Sequence, residues 1–284
     1  MVDDGSQDDT KSMVESFMNI HSNISYVRQD HQGYSAAINL GCKMAHGEFI
    51  AFQDDDDISV PNRFELQIKE LLNDEKVELV YGLTRWVDKN GKEVGYFPEM
   101  LRKQDFRGSR AQGFTANLWN GCKIPCTSIM MRKRHFPSDG KIFETQFLEK
   151  SQDWLHDLEV AYCYPIVGLS TVLVEVLRDS SCPSMMSGKE AILKNYKKVL
   201  KLAEQRLSPK MKRLERWDHF RRAWGYQYLL ESKVIGGWKG IGSLLKNLCF
   251  CPFDKRGWIQ FAVFGKGVGR RFKKIFKKSR EFSL

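Results

Sequence analysis

Phe52-Gln53-Asp54-Asp55-Asp56-Asp57-Ile58-Ser59-Val60-Pro61 sets four carboxylates side by side at the end of an apolar run. Like charges so close repel one another, and a packed domain holds them together when something cationic sits there; a divalent metal is the simplest such group. Just before them, Phe49-Ile50-Ala51-Phe52 has the length and apolarity of a short buried strand. Just after, Pro61 and the spacing Phe64, Ile68, Leu71, Leu72 predict a helix over 62–73. The acids thus lie at the carboxyl end of a strand, where open α/β sheets bind ligands. Hard oxygen donors suit Mg²⁺ or Mn²⁺, which leave positions open for phosphate oxygens. A solvated acidic turn, or acids favoured at a helix N-terminus, is the alternative reading.

Upstream, Met1-Val2 reads as the end of a buried strand and residues 3–10 as a polar turn, with Asp9 or Thr10 capping a helix over 11–18. A strand over 24–28 and a helix over 34–45, preceded by Gly33, lead to the strand 48–53. Strand and helix alternate, which predicts an α/β fold with a mostly parallel sheet flanked by helices.

Downstream of a strand at 79–81, Asn90-Gly91 is a hairpin signal, so antiparallel pieces follow. Such a switch suits a nucleotide-binding half joined to an acceptor-binding half. A strand over 128–132, a loop at Phe143-Glu144, a helix from Gln152 to Cys163 and a strand over 166–176 complete this part. Asp153, at the junction of loop and helix, is either a base facing a pocket or a helix N-cap.

The 284 residues carry a net charge of +10, unevenly placed. Residues 1–188 hold 20 Lys and Arg against 28 Asp and Glu, whereas residues 189–284 hold 25 against 7. We therefore expect two regions, 1–180 as the α/β domain and 181–284 as a helical, basic extension. No apolar run is long enough to span a bilayer, and Met1-Val2-Asp3-Asp4 does not open like a signal peptide. The seven cysteines have neither disulfide-framework nor zinc spacing, which fits a reducing cytoplasm.

In the extension, residues 189–233 read as helical, and Trp217, Phe220, Trp224 and Tyr228 form a stripe better suited to packing than to a cofactor. A short amphipathic helix follows Trp238. Val268, Phe272, Ile275, Phe276 and Ser279 then line one face of a helix whose other face carries Arg270, Arg271, Lys273, Lys274, Lys277 and Lys278. This predicts a helix lying on an anionic membrane surface, with Trp238 and Trp258 as anchors. A disordered basic tail or a nucleic-acid patch are the alternatives. No nucleic-acid module accompanies the charge, so we expect no nucleic-acid partner.

Three separated segments together resemble the family 2 glycosyltransferases, which have the GT-A fold. They are Val2-Asp3-Asp4-Gly5-Ser6 with Asp9-Thr10; Gly33-Tyr34-Ser35-Ala36-Ala37-Ile38-Asn39 running on through Ala45-His46-Gly47-Glu48-Phe49-Ile50 to the acidic run; and Phe143-Glu144 with Gln152-Asp153-Trp154. The resemblance implies an inverting transferase that moves a sugar from a nucleotide-sugar donor, UDP-linked by family preference, to a lipid-linked or cell-surface glycan acceptor. It places Asp4, Gly33 and Asp55 in the nucleotide pocket, Asp54 and Asp56 on a Mn²⁺ or Mg²⁺ ion, and Asp153 as the catalytic base. Members often carry a second acid two residues beyond the base and an arginine further along; Leu155 and Glu159 stand there. Members also usually begin with a strand and helix ahead of the first turn, so the chain reads as lacking these. A non-catalytic remnant that binds a membrane or a partner is the alternative. The expected location is cytoplasmic, peripheral at the inner face of the membrane.

Overall fold

The computed structural model describes residues 1–120, 123–145, 151–178, 189–235 and 237–251. The chain divides into two units, Met1–Ser187 and Gly188–Leu284. Both this division and the expected one at residue 180 fall in the stretch 179–188, which lies outside the described residues. The membrane-surface helix expected over 268–279 and Trp258 lie outside them too.

The first unit starts with β1 (Val2–Asp3), α1 (Thr10–Met18), β2 (Val27–Arg28) and α2 (Tyr34–Met44). Then come β3 (Phe49–Ala51), β4 (Asp57–Ser59), α3 (Arg63–Asn73), β5 (Leu79–Val87) and β6 (Glu93–Phe97). After β7 (Phe106–Gly108) and α4 (Arg110–Asn120) the chain reaches β8 (Met130–Arg132), α5 (Gln152–Cys163) and β9 (Ile166–Leu177). β1 and β2 form their own parallel pair. The larger sheet runs β3-β8-β5-β9-β4, with β6 beside β5 and β7 beside β9.

The class is α/β with a helix-flanked sheet, as expected, but among the described residues parallel pairing is confined to β1 with β2 and β5 with β9. The other ladders of the large sheet are antiparallel. Connection length explains part of the difference. β5 returns as β6 through the tight turn at Asp88–Lys92, where the Asp88 N–H donates to the Lys92 carbonyl at 2.9 Å, and a short turn can join only antiparallel strands.

β5 and β9 are central because both are apolar on both faces, and Leu79, Val80, Leu173 and Val174 are wholly buried. They share a core with Leu71 of α3, Val77, Met130, Val167 and Leu169. Each such side chain contributes about 1.5–3 kcal/mol by leaving water. This slab fixes the end of β3, and with it the start of the acidic loop.

The second unit contains α6 (Lys189–Leu207), α7 (Arg213–Ile235) and α8 (Gly237–Phe250). The stretch 189–233 is helical as expected, in two helices parted at 208–212, where Ser208-Pro209 opens a short 3₁₀ turn; proline cannot continue an α-helix interior. Phe220 is buried, and Trp224 donates from Nε1 to Glu204 at 3.1 Å while its ring meets Tyr228. These contacts agree with a packing stripe. No described helix is long and apolar enough to cross a membrane.

Candidate active site

Asp3 and Asp4 do different work in the first turn. Asp3 is buried and accepts bonds from the Tyr26 hydroxyl and from the Ser6 N–H at 2.7 Å. The Tyr26 bond, then the Ser6 bond, hold its carboxyl down at about 2. Asp4 faces the segment that leads into α2. It accepts from Gln29 Nε2 at 2.6 Å, from the N–H groups of Gln32 and Gly33 at 2.8 Å each, and has His31 Nδ1 at 2.9 Å. Burial opposes ionisation there, but the Gln32, Gln29 and Gly33 bonds outweigh it and leave the carboxyl below its ordinary value. Gly33 sits at φ 90°, a conformation that side chains disfavour, and this turns its N–H onto Asp4.

The acidic run separates into two kinds of residue. Asp57 begins β4 and pairs with Val176 of β9, so only Asp54, Asp55 and Asp56 occupy the loop. Asp55 and Asp56 are exposed; Asp54 and Asp57 are half-buried. Burial, followed by the nearby Asp57 carboxylate, pushes Asp54 up to about 6, with Asp56 and Asp153 adding to the effect against the Tyr34 hydroxyl. Burial also raises Asp57. Behind the loop Arg63 is almost wholly buried. Its guanidinium bonds go to neutral acceptors: Gln67 Oε1, Gln53 Oε1, Ser59 Oγ and the carbonyls of Phe52 and Ile129, at 2.7–3.3 Å. Burial lowers the Arg63 pKa to about 10 against the pull of Asp54 and Asp57. This fork ties both ends of the acidic loop to α3 and to the chain before β8.

Asp153 lies in the first turn of α5, two residues past the N-cap Ser151, which adopts φ 69°. The N-cap alternative for Asp153 is therefore set aside. The Trp154 N–H donates to Asp153 Oδ1 at 2.9 Å. Burial, then the Asp157 charge one helical turn on, push Asp153 up to about 7. Burial pushes His156 down to about 4 and raises Asp157 well above the usual carboxylate range. Leu155, where relatives carry an acid, is buried apolar core.

α2 brings the three segments together. At its start, Gly33 binds Asp4, and the next residue, Tyr34, places its hydroxyl 3.3 Å from Asp54 Oδ1 and 3.2 Å from Cys126 Sγ. One turn on, Asn39 Oδ1 accepts from the N–H groups of Ile142 and Phe143, and its Nδ2 donates to the Phe143 carbonyl, all at 2.9–3.0 Å. Phe143 in turn lies against Tyr34, Phe52 and His156, with ring centroids 5.6–6.4 Å apart. Gly140 lets this loop approach, since a Cβ there would stand 2.6 Å from Lys43 N and 2.7 Å from the Asn39 carbonyl. Asp54 and Asp153 are both close enough to raise the thiol of Cys126, after its burial.

The structure thus joins Asp4, Gly33 and Asp54 through α2, which also holds residues 142–143, while Asp153 is near enough to Asp54 to raise its carboxyl; Asp55 and Asp56 are on the same loop as Asp54. Tyr34, Cys126, Arg63 and Asp157 were not among the residues expected from the sequence. Asp157 had a signal in its four-residue spacing from Asp153; Cys126 had none. No group of three or more His, Cys, Asp or Glu side chains placed to hold a metal ion by themselves occurs among the described residues. The loop instead offers crowded carboxylate oxygens, a donor set that fits an ion completing its shell with phosphate oxygens.

Residues 1–136 match the family model described as Glycosyl transferase family 2. The chain is 27% identical to the chondroitin synthase of Escherichia coli over 124 residues, which covers 42% of this chain and 18% of that protein. It is 31% identical to the uncharacterized glycosyltransferase RC0461 of Rickettsia conorii over 159 residues, covering 54% of this chain and 24% of that one. The chain therefore spans about a quarter or less of these relatives' own lengths. Its fold is like that of S. aureus TarS 1–349, solved in complex with UDP-GlcNAc, with a TM-score of 0.55, 17% identity, and coverage of 88% of this chain and 78% of that one. That likeness shows the GT-A fold.

Proposed function

We propose, from the premise that residues 1–136 form a family 2 glycosyltransferase domain, that the first unit transfers a sugar from a UDP-linked donor to a hydroxyl of a glycan, lipid-linked or at the cell surface, with inversion at the anomeric carbon. The observation that carries this reading is the hub on α2: Gly33, Tyr34 and Asn39 tie Asp4, Asp54 and the loop before Asp153 to one helix.

In this reading Asp4, Gly33 and Asp55 shape the nucleotide pocket, and Asp54 and Asp56 hold Mn²⁺ or Mg²⁺. The ion supplies positive charge for the departing diphosphate when bound. Asp153 takes the proton of the acceptor hydroxyl as its oxygen attacks, and burial supports that role by giving a carboxylate a proton affinity near neutrality. Arg63 keeps the acidic loop in register from behind. We further propose that the basic stretch 268–279 brings the enzyme to the inner face of the cytoplasmic membrane, where a lipid-linked acceptor would be met.

The test is release of UDP from candidate UDP-sugars in the presence of Mn²⁺ and acceptor glycans, beside Asp153→Asn. Turnover by the wild type alone supports the reading; equal turnover by Asp153→Asn removes the base assignment. Flotation with anionic but not neutral vesicles supports the membrane part, and equal indifference to both removes it.

A further inference from the structure

Asp157 is a buried acid that no step above uses. Its side chain is fully buried, and neither carboxyl oxygen has a hydrogen-bond partner among the described residues. It stands one turn after Asp153 on α5, and side chains at i and i+4 share a helix face, the later one leaning back over the preceding turn. The two side chains therefore lie on one face of α5, close enough for the Asp157 charge to raise Asp153.

Among the described residues, the groups facing Asp157 do not neutralise it. On its own helix they are Asp153 and His156, whose Nδ1 is 3.6 Å away and itself unpartnered; burial keeps that imidazole uncharged at neutral pH. From β5 comes Tyr81 and from the 126–128 turn Cys126, and the Asp157 charge would raise the proton affinity of both. Two carboxylates one turn apart in such surroundings cannot both ionise cheaply.

We propose that Asp157 is a positioning residue for Asp153: the two carboxyls repel each other when both are ionised, so the pair gives up its two protons in separate steps and Asp153 ionises later than it would alone. The pair then titrates as a unit, and each apparent pKa belongs to both residues. The gain for transfer is a stronger base at Asp153 than a lone carboxylate provides, since proton affinity near the working pH favours general-base catalysis.

The decisive experiment is thermal unfolding of the wild type, Asp153→Asn, Asp157→Asn and the double variant at about pH 5 and about pH 8. At the higher pH each single variant should raise Tm, and the double variant should raise it by less than their sum; at the lower pH the shifts should add. Additive shifts at both pH values overturn the proposal. A second readout is the acid limb of kcat/KM against pH, expected to move about one unit lower in Asp157→Asn. Asp157→Leu, equally neutral and close in volume, should move it the same way; an unmoved limb in variants that melt as cooperatively as wild type overturns the proposal. The inference rests on Asp153 being the base, but the unfolding cycle needs no turnover. Coupled stabilities in a chain that transfers no sugar would remove the base reading and leave the pair standing.

Discussion

Asn39 of α2 holds the backbone of Phe143 from 104 residues away, accepting its N–H and donating to its carbonyl, each at 2.9 Å. The same side-chain oxygen takes the Ile142 N–H at 3.0 Å. This places the loop before α5 against the helix whose first residue reaches Asp54. Asn39→Ala would leave buried backbone groups unpaired, at a cost of about 1–3 kcal/mol. Urea unfolding should show that loss, and Asn39→Asp should recover only part of it, because a carboxylate cannot donate to the Phe143 carbonyl.

Arg63 makes a second prediction, about shape. Its planar fork serves five acceptors at once, a pattern that an ammonium group cannot copy. Arg63→Lys should lower stability by about 1–3 kcal/mol and weaken nucleotide binding, since both ends of the acidic loop lose their anchor. Arg63→Met should lower it further. Chemical denaturation beside UDP titration checks both, and a lysine variant as stable as the wild type would sink the anchoring role.

Where residues carry their own structural instructions, the chain was legible. The apolar run, the acids, Pro61 and the 3.6-residue spacing located β3, the loop and α3; Gly33 and Gln152 marked the starts of α2 and α5. Asp57-Ile58-Ser59 did not read as a strand, because its strand state comes from β9, more than a hundred residues away. α4 was missed as well: Phe114 and Leu118 are the buried apolar side chains among its described residues, too few to make a periodic pattern. The same holds for the site. Asp4, Asp54 and Asp153 sit in recognisable segments, whereas Cys126 enters only because its turn folds against Tyr34.

The metal assignment predicts a loss confined to one condition. Calorimetric titration of UDP into the protein should give clearly tighter binding with Mn²⁺ than with a chelator present. Asp56→Ala should remove that difference and leave the metal-free signal as it was, since Asp56 is exposed and its carboxyl has no hydrogen-bond or ion-pair partner among the described residues. Asp54→Asn should behave alike. Metal-independent UDP binding by the wild type would refute the assignment.

Asp153 gives a pH prediction whose sign follows from burial. Its carboxyl is raised from 3.8 to about 7, so the folded protein holds a proton that the unfolded chain has already released. Above pH 4 the unfolded state is therefore favoured increasingly, and the penalty is complete once pH passes about 7. Asp153→Asn removes the penalty and should stabilise the protein by about 2–4 kcal/mol at pH 8, with little effect at pH 4. The same proton governs chemistry: kcat/KM should climb through the region of pH 7 as the base ionises. Asp153→Asn should keep UDP binding and lose about 10²–10⁴ in turnover. A variant both more stable at pH 8 and inactive is the expected signature of a buried base held ready at a cost to the fold; one no more stable than the wild type would show that Asp153 is not strained there.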